Sequence, residues 1–383
     1  MFGSPSYPGT DLTVDSPLFG QGVAMETTTN APQPQLEEEW VKQMKNDNGV
    51  VYQFRALCFG PTSAPMVFVK VTSVVVAHLR KHNIRLASYL DDWLAANKER
   101  KYLLEDRSSI LSLLYQLGFI VNKTKSQLIP VQNLTYIGSR FDLHKGLLYP
   151  TEERLKNLKL AVLNMLQGQN SARHYLILLG MIASCLELVP NARLFMRPIQ
   201  LHLLQNWSPS RMELSVKIPV TQKLTSHLNW WLSDHNMYMG RSLQKDQFPI
   251  ILTTDASSKW GWGGHMNNLT CQGQWSNYQK LMHINCLEMM AVQFSLQHFL
   301  SHLKGCNVLI RSDNVAVCQY INHQGVTKSV QLCKLTMKLW TLALENKISL
   351  KAVHVMGKKN ILADILSRQK IRETEWALNS TVV

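Results

Sequence analysis

Along this chain the hydrophobic positions alternate between two periods, and each change of period marks a new element. From Val50, "GVVYQFRALCF" reads as a strand. Apolar positions at helical spacing then predict a helix from Ser63 to His82, with Pro65 in its first turn. "SYLDDWLAA" reads as a hairpin, and "ERKYLLEDRSSILSLLYQLG" as a helix stopped by Gly118. Two short strands, "FIVN" and "LTYIGSRFDL", follow. This order predicts an α+β domain with a mostly antiparallel sheet.

Residues 151–245 read as mainly helical, through "EERLKNLKLAVLNMLQ", "ARHYLILLGMIASCLEL" and "TQKLTSHLNWWLSDHNM". Trp230 and Trp231 are expected in a core or domain interface, with base stacking as the alternative. From Phe248 the pattern changes again. "PIILTTDASS", "GWGGHM" and "TCQGQWS" read as strands. Four helices alternating with two strands then run from "NCLEMMAVQFSLQHFLSHLK" to "NILADILSR". This predicts a mixed α/β sheet with helices packed on it. The expected organisation is a disordered tail over 1–36, rich in Pro, Gly, Ser and Thr, and the α+β domain over 37–150, opening on a short charged helix, "LEEEWVKQMKN". A helical region over 151–245, the α/β domain over 246–370 and a tail over 371–383 complete it.

Charge adds a partner class. The 383 residues carry a formal +14, but residues 1–50 hold seven acidic against two basic residues, which leaves +19 on the remainder. A region that basic points to a polyanion, with nucleic acid first and an inert basic surface as the alternative. The seven cysteines include no CxxC pair, which fits reduced thiols in an intracellular protein and does not separate cytoplasm from nucleus. The N-terminus shows no signal-peptide pattern, and the longest apolar run contains Glu187 and is short of a membrane span.

Carboxylates carry the candidate chemistry. Asp91 and Asp92 sit side by side at the hairpin, where two like charges are either solvated or balanced by a cation. Farther on, Asp255 ends an apolar strand, Glu288 is expected in the first turn of a helix, Asp313 ends another strand, and Asp364 lies in the first turn of the last helix. Four carboxylates gathered at one sheet edge would require cations. Two Mg²⁺ ions about 4 Å apart, with Mn²⁺ as a substitute, would clamp a phosphodiester. Each residue also has a local alternative: Glu288 and Asp313–Asn314 as helix caps, Asp364 as a partner of the helix dipole.

"TDASSKWGWGGH", "HINCLEMMAV", "LIRSDNVAVCQYINHQG" and "VHVMGKKNILADILSR" resemble the ribonuclease H domain of retroelements, most nearly that of DIRS-type retrotransposons, which carry a tyrosine recombinase. The resemblance spans about Phe248 to Arg368. It implies that Asp255 bridges two metal ions, that Asp364 helps hold the nucleophile-side ion, and that Glu288 and Asp313 complete the other. The implied reaction is endonucleolytic hydrolysis of the RNA strand of an RNA–DNA hybrid. Cellular ribonucleases H have a loop histidine ten residues before the last aspartate. His354 has that spacing to Asp364, but "KAVHVMG" reads as a strand entering a Gly turn. A strand position beside the site is therefore expected, with a catalytic or product-release role as the alternative. Asn360 is expected to cap the last helix, with substrate contact as the alternative.

The upstream half resembles the reverse transcriptase palm of the same elements. "YQFRALCFGPTSAPMVF", with Gly60, resembles the motif beside the nucleotide site, and "YLDDWL", with Tyr89, Asp91 and Asp92, the metal-binding hairpin. "LGFIVNKTKSQL" places Lys125 near an incoming triphosphate, "LTYIGSRFDL" resembles the primer grip, and residues 151–245 resemble thumb and connection. The fingers are absent. So is the Asp-Leu-x-Asp-Ala-Tyr-like motif of the strand facing the hairpin; Asp11, Asp15 and Asp47 do not fit it. Cys58 stands where the family has proline. The expectation is an N-terminally truncated fragment with ribonuclease H activity and no autonomous polymerisation. Its partners would be RNA–DNA hybrid, RNA template, DNA and other segments of one polyprotein, and no membrane. The alternatives are an inactive nucleic-acid-binding remnant, or an RNA-directed DNA polymerase completed by a missing N-terminal segment.

Overall fold

The computed structural model describes residues 21–28, 43–45, 51–53, 62–168 and 170–369. Asp11, Asp15, Asp47, Cys58, Gly60 and the tail over 371–383 lie outside them. The chain divides into two compact units, Met1–Thr151 with Gly240–Gln244, and Glu152–Met239 with Lys245–Val383.

In the first unit, strand β1 is Gln21–Thr28, β2 Gln43–Lys45 and β3 Val51–Gln53; helix α1 is Ala64–Lys81. Strands β4 (Leu86–Tyr89) and β5 (Asp92–Asn97) form the hairpin, and helix α2 (Arg100–Gln116) follows. Strands β6 (Ile120–Val121), β7 (Gln127–Val131), β8 (Asn133–Tyr136), β9 (Ser139–Asp142) and β10 (Leu147–Pro150) come next, and β11 (Arg241–Ser242) joins from far downstream. One sheet runs β4–β5–β1–β6 with β7 also paired to β1; a second runs β11–β10–β9–β8. Phe68, Val76 and Leu79 of α1, Trp93 of β5 and Leu103, Ile110 and Leu114 of α2 share one core. Burying each such side chain contributes about 1.5–3 kcal/mol.

Four expectations need correction here. Residues 21–28, assigned to a disordered tail, form a strand that pairs with β5, β6 and β7. The strand facing the hairpin, taken to be missing, is therefore present. Residues 43–45, assigned to a charged helix, are a strand paired with β3. "LTYIGSRFDL" is two strands, because Ile137 (φ 47°) and Gly138 (φ 64°) make a tight turn in the left-handed region.

In the second unit, helices α3 (Glu152–Gln167), α4 (Ala172–Ala183), α5 (Ala192–Asn206), α6 (Gln222–Trp230) and α7 (Asp234–Met237) close over one core. Trp231 is fully buried in it, and Trp230 stacks on Phe195 with ring centroids 3.9 Å apart. Helix α5 contains Pro198, which masked it in the sequence.

Strands β12 (Ile250–Ala256), β13 (Gly261–Met266) and β14 (Leu269–Gln274) then form an antiparallel meander. Helices α8 (Ile284–His298) and α9 (Leu300–Leu303), strand β15 (Asn307–Ser312), helices α10 (Val315–Asn322) and α11 (Val330–Glu345), strand β16 (Ser349–His354) and helix α12 (Ile361–Arg368) complete the chain. The sheet order is β14–β13–β12–β15–β16, with β15 parallel to both β12 and β16. Its core takes Met289, Val292 and Leu296 from α8, Leu339 and Trp340 from α11, and also Leu194 and Leu201 from α5. The architecture is that of a polymerase-palm-like antiparallel unit followed by helices and a ribonuclease H-like mixed sheet.

Candidate active site

Parallel strands β12 and β15 lie side by side and end at the same sheet edge. Asp255, next to last in β12, and Asp313, directly after β15, are therefore neighbours. Glu288 reaches the same place from α8. One oxygen from each of the three carboxylates lies within 4.8 Å of the others. Glu288 is not in the first turn as expected: the cap of α8 is His283, whose side chain accepts from the Asn285 amide, so Glu288 sits one turn deeper. That depth buries it. Asn314, not Asp313, caps α10 by accepting from the Val317 amide.

Asp364 departs from the expected convergence of four. It lies in the first turn of α12, about two-fifths exposed, and accepts from Arg368 Nε and Nη2 at 2.7 Å. Its charge still raises the pKa of Asp255 and of Glu288. His354 ends β16, and its Nε2 lies 3.1 Å from the Asp313 carbonyl, which can only accept; the proton is therefore on Nε2. His354 thus ties β16 to the strand end that carries Asp313. Asn360 occupies the cap position of α12, but its side chain does not cap the helix. Its Nδ2 turns inward to the Thr254 carbonyl (3.1 Å) and Asp255 Oδ1 (3.4 Å). The opposite amide orientation would set two acceptor oxygens against each other.

Burial dominates the electrostatics. Asp255 and Glu288 are each 5% exposed. Desolvation pushes Asp255 up from the usual carboxylate range, and neighbouring Asp313 and Asp364 push the same way, against the Ser367 hydrogen bond. Desolvation, with Asp255 and Asp313 adding to it, pushes Glu288 up to about 9. Glu288 Oε2 is buried with no hydrogen-bond partner among the described residues. An oxygen-only donor set with an orphaned buried carboxylate oxygen fits a hard divalent cation, which would supply the missing partner and reverse these shifts.

The sign of the pH dependence follows. A carboxyl whose folded pKa is raised keeps its proton on folding, so the native state binds more protons than the unfolded one between about pH 4.5 and 9. The stability of the chelator-treated chain is expected to fall as pH rises through that window, and millimolar Mg²⁺ to flatten the fall. Thermal melts at several pH values with EDTA or Mg²⁺ check it; a metal-free melting temperature that rises toward pH 9 contradicts it.

The hairpin in the first unit is built differently. Fully buried Trp93 donates from Nε1 to the Leu90 carbonyl at 3.3 Å, pinning a turn in which Leu90 takes φ 49°. Tyr89 and Asp91 are exposed, Asp92 half-buried. Tyr136 of β8 donates to the Asp92 carbonyl at 3.1 Å, and burial, with the Asp92 charge adding to it, pushes its phenol up to about 12. Asp92 pairs across the ladder with Tyr89 on one side and Glu26 on the other. Lys125 follows β6 and is exposed.

Comparison with known proteins agrees with this division. Residues 23–141 match the family model for reverse transcriptase (RNA-dependent DNA polymerase). That match begins within β1. The chain is 23% identical over 333 residues to the enzymatic polyprotein of Figwort mosaic virus (strain DxS), covering 83% of this chain and 46% of that protein. It is 25% identical over 344 residues to the enzymatic polyprotein of Cauliflower mosaic virus (strain D/H), again covering 83% and 46%. The chain thus spans about half the length of the curated relatives it matches. The foamy viral protease-reverse transcriptase dRH solved with double-stranded DNA has the same fold over 92% of this chain and 60% of that one, at TM-score 0.52 and 15% identity. Residues 23–141 are thus similar to the reverse transcriptase domains of retroelement polyproteins, and a ribonuclease H-like mixed sheet follows them in the chain. No helix among the described residues is long and apolar enough to cross a membrane.

Proposed function

We propose that this chain is part of the reverse transcriptase–ribonuclease H region of a DIRS-type retroelement, and that its C-terminal domain hydrolyses the RNA strand of RNA–DNA hybrids inside the cell. The observation that carries this is the triad of buried Asp255 and Glu288 with half-buried Asp313, and its orphaned Glu288 oxygen. Asp255 would face both of two Mg²⁺ ions, with Glu288 and Asp313 on one side and Asp364, released from Arg368, on the other. Cations bound there offset the carboxylate charges and polarise a phosphodiester. The residues do the rest: Asp313 and Asp255 are held on adjacent rigid strands, Glu288 gives up its proton on binding, and the +19 carried outside the first fifty residues favours the polyanionic substrate. His354 serves as a support for Asp313. Residues 151–245 correspond to thumb and connection, and 246–370 to the nuclease domain. Incubating the chain with labelled RNA–DNA hybrid, single-stranded RNA and duplex RNA in Mg²⁺ tests this. Cleavage confined to the hybrid is expected. Hybrid binding that weakens steeply with salt, without cleavage, would instead identify a nucleic-acid-binding remnant.

RNA-directed DNA polymerisation is the second reading, favoured by the family match over 23–141 and by the register that sets Glu26 opposite Asp92. Strand β1 carries no aspartate, so the chain by itself is expected to extend a primer on an RNA template no better than the Asp92→Asn variant. Extension by the native chain that Asp92→Asn abolishes would establish the polymerase instead.

A further inference from the structure

Helix α12 has an inverted pattern. Ile361, Leu362 and Ile365 are exposed, whereas the small residues Ala363 and Ser367 are buried. Small side chains turned inward let a helix approach a sheet closely, and the sheet is cut to receive it. In β13, Gly263 pairs directly with Asp255, and a Cβ on Gly263 would fall 2.7 Å from the Ser367 amide nitrogen and 2.8 Å from the Ala363 carbonyl. The approach brings Ser367 Oγ to 2.7 Å from Asp255 Oδ2 and 2.9 Å from the Asp364 carbonyl. A hydroxyl has one proton to donate, and the charged carboxylate is the stronger and nearer acceptor.

We propose that Ser367 is a positioning residue for the metal site: its hydroxyl clamps Asp255 through Oδ2 and couples the orientation of Asp255 to the helix that carries Asp364. This rests on the metal-dependent reading above. Asp255 stands next to last in an apolar strand, and its side-chain hydrogen bonds among the described residues come from neutral donors. Ser367 Oγ on Oδ2 and Asn360 Nδ2 on Oδ1 fix its plane. Each oxygen keeps a lone pair for a cation. Because Ser367 and Asp364 are one turn apart on α12, a single rigid element sets both the clamp and the fourth carboxylate.

Loss of a hydrogen-bond partner that orients a ligand lowers metal affinity about ten- to a hundredfold. Calorimetric titration of the full chain with Mn²⁺, without nucleic acid, reads this directly. Ser367→Ala removes the donor, and Ser367→Cys fills the space with a somewhat larger thiol that is only a weak donor. Both are expected to weaken Mn²⁺ binding about tenfold or more, to raise by a similar factor the Mg²⁺ concentration for half-maximal hybrid cleavage, and to keep the native melting temperature in EDTA within a few degrees. Native-like Mn²⁺ binding by Ser367→Ala overturns the positioning role. So does a defect in Ser367→Ala that Ser367→Cys repairs, since that would be packing alone. A native chain that takes up no Mn²⁺ overturns the metal reading itself, and the positioning role with it.

Discussion

Glu288→Gln is expected to leave the metal-free fold intact at pH 7, within about 1 kcal/mol of native, while lowering Mg²⁺-dependent hybrid cleavage roughly a hundred- to a thousandfold, the usual cost of deleting one preorganised active-site group. The two halves have one cause. Burial and the charges of Asp255 and Asp313 hold Glu288 at about 9, so without metal it is already neutral at pH 7. Glutamine is a neutral near-isostere of that protonated acid and removes little from the metal-free protein. With metal the acid must ionise, and an amide cannot. Denaturant unfolding in EDTA at pH 7 and pH 9 separates these effects: the native chain loses more stability between the two than the glutamine variant does. A variant that fails to fold, or that cleaves like the native chain, contradicts the electrostatic account of the triad.

Gly263→Ala is expected to damage both fold and site. The added methyl would meet Leu366 Cβ and two backbone atoms of α12, none of which is the free end of a flexible side chain. The helix has to move, at a cost of about 1–3 kcal/mol for overpacking. Its movement carries Asp364 and Ser367 away from Asp255. A misplacement of about 1 Å in an active site costs on the order of a hundredfold in rate. Gly180→Ala in α4 is the matched control, because a Cβ there meets nothing within 4 Å; in a helix it is expected to add about 0.5–1 kcal/mol. Melting temperature and hybrid cleavage measured on both variants decide the matter. Native behaviour of Gly263→Ala would mean that α12 does not depend on that close approach.

Asp255, Asp313 and Asp364 were legible because they stand at strand ends or in the first turn of a helix, and parallel pairing of β12 and β15 brings such ends together. The error at Glu288 came from the cap: His283 begins α8 two residues before Asn285, and histidine is a poor cap signal. Strand β1 was hidden by its surroundings, a run of Pro, Gly and Thr with no alternating apolar pattern. The turn between β8 and β9 was hidden because isoleucine rarely takes positive φ. Asn360 was legible as a cap position but not as a partner of Asp255, and Ser367 left only one trace in the sequence, the inverted face of α12, where Ala363 and Ser367 stand at the spacing of a buried stripe. That trace has meaning only once Gly263 is known to lie opposite.

The role of Asp255 in metal-dependent hydrolysis is tested by cleavage of a labelled RNA–DNA hybrid in Mg²⁺ by the native chain and by Asp255→Asn, side by side and at equal hybrid occupancy. Metal-dependent cleavage by the native chain is expected, with a loss of roughly a hundred- to a thousandfold in the variant. No cleavage by the native chain, or equal cleavage by both, would contradict it.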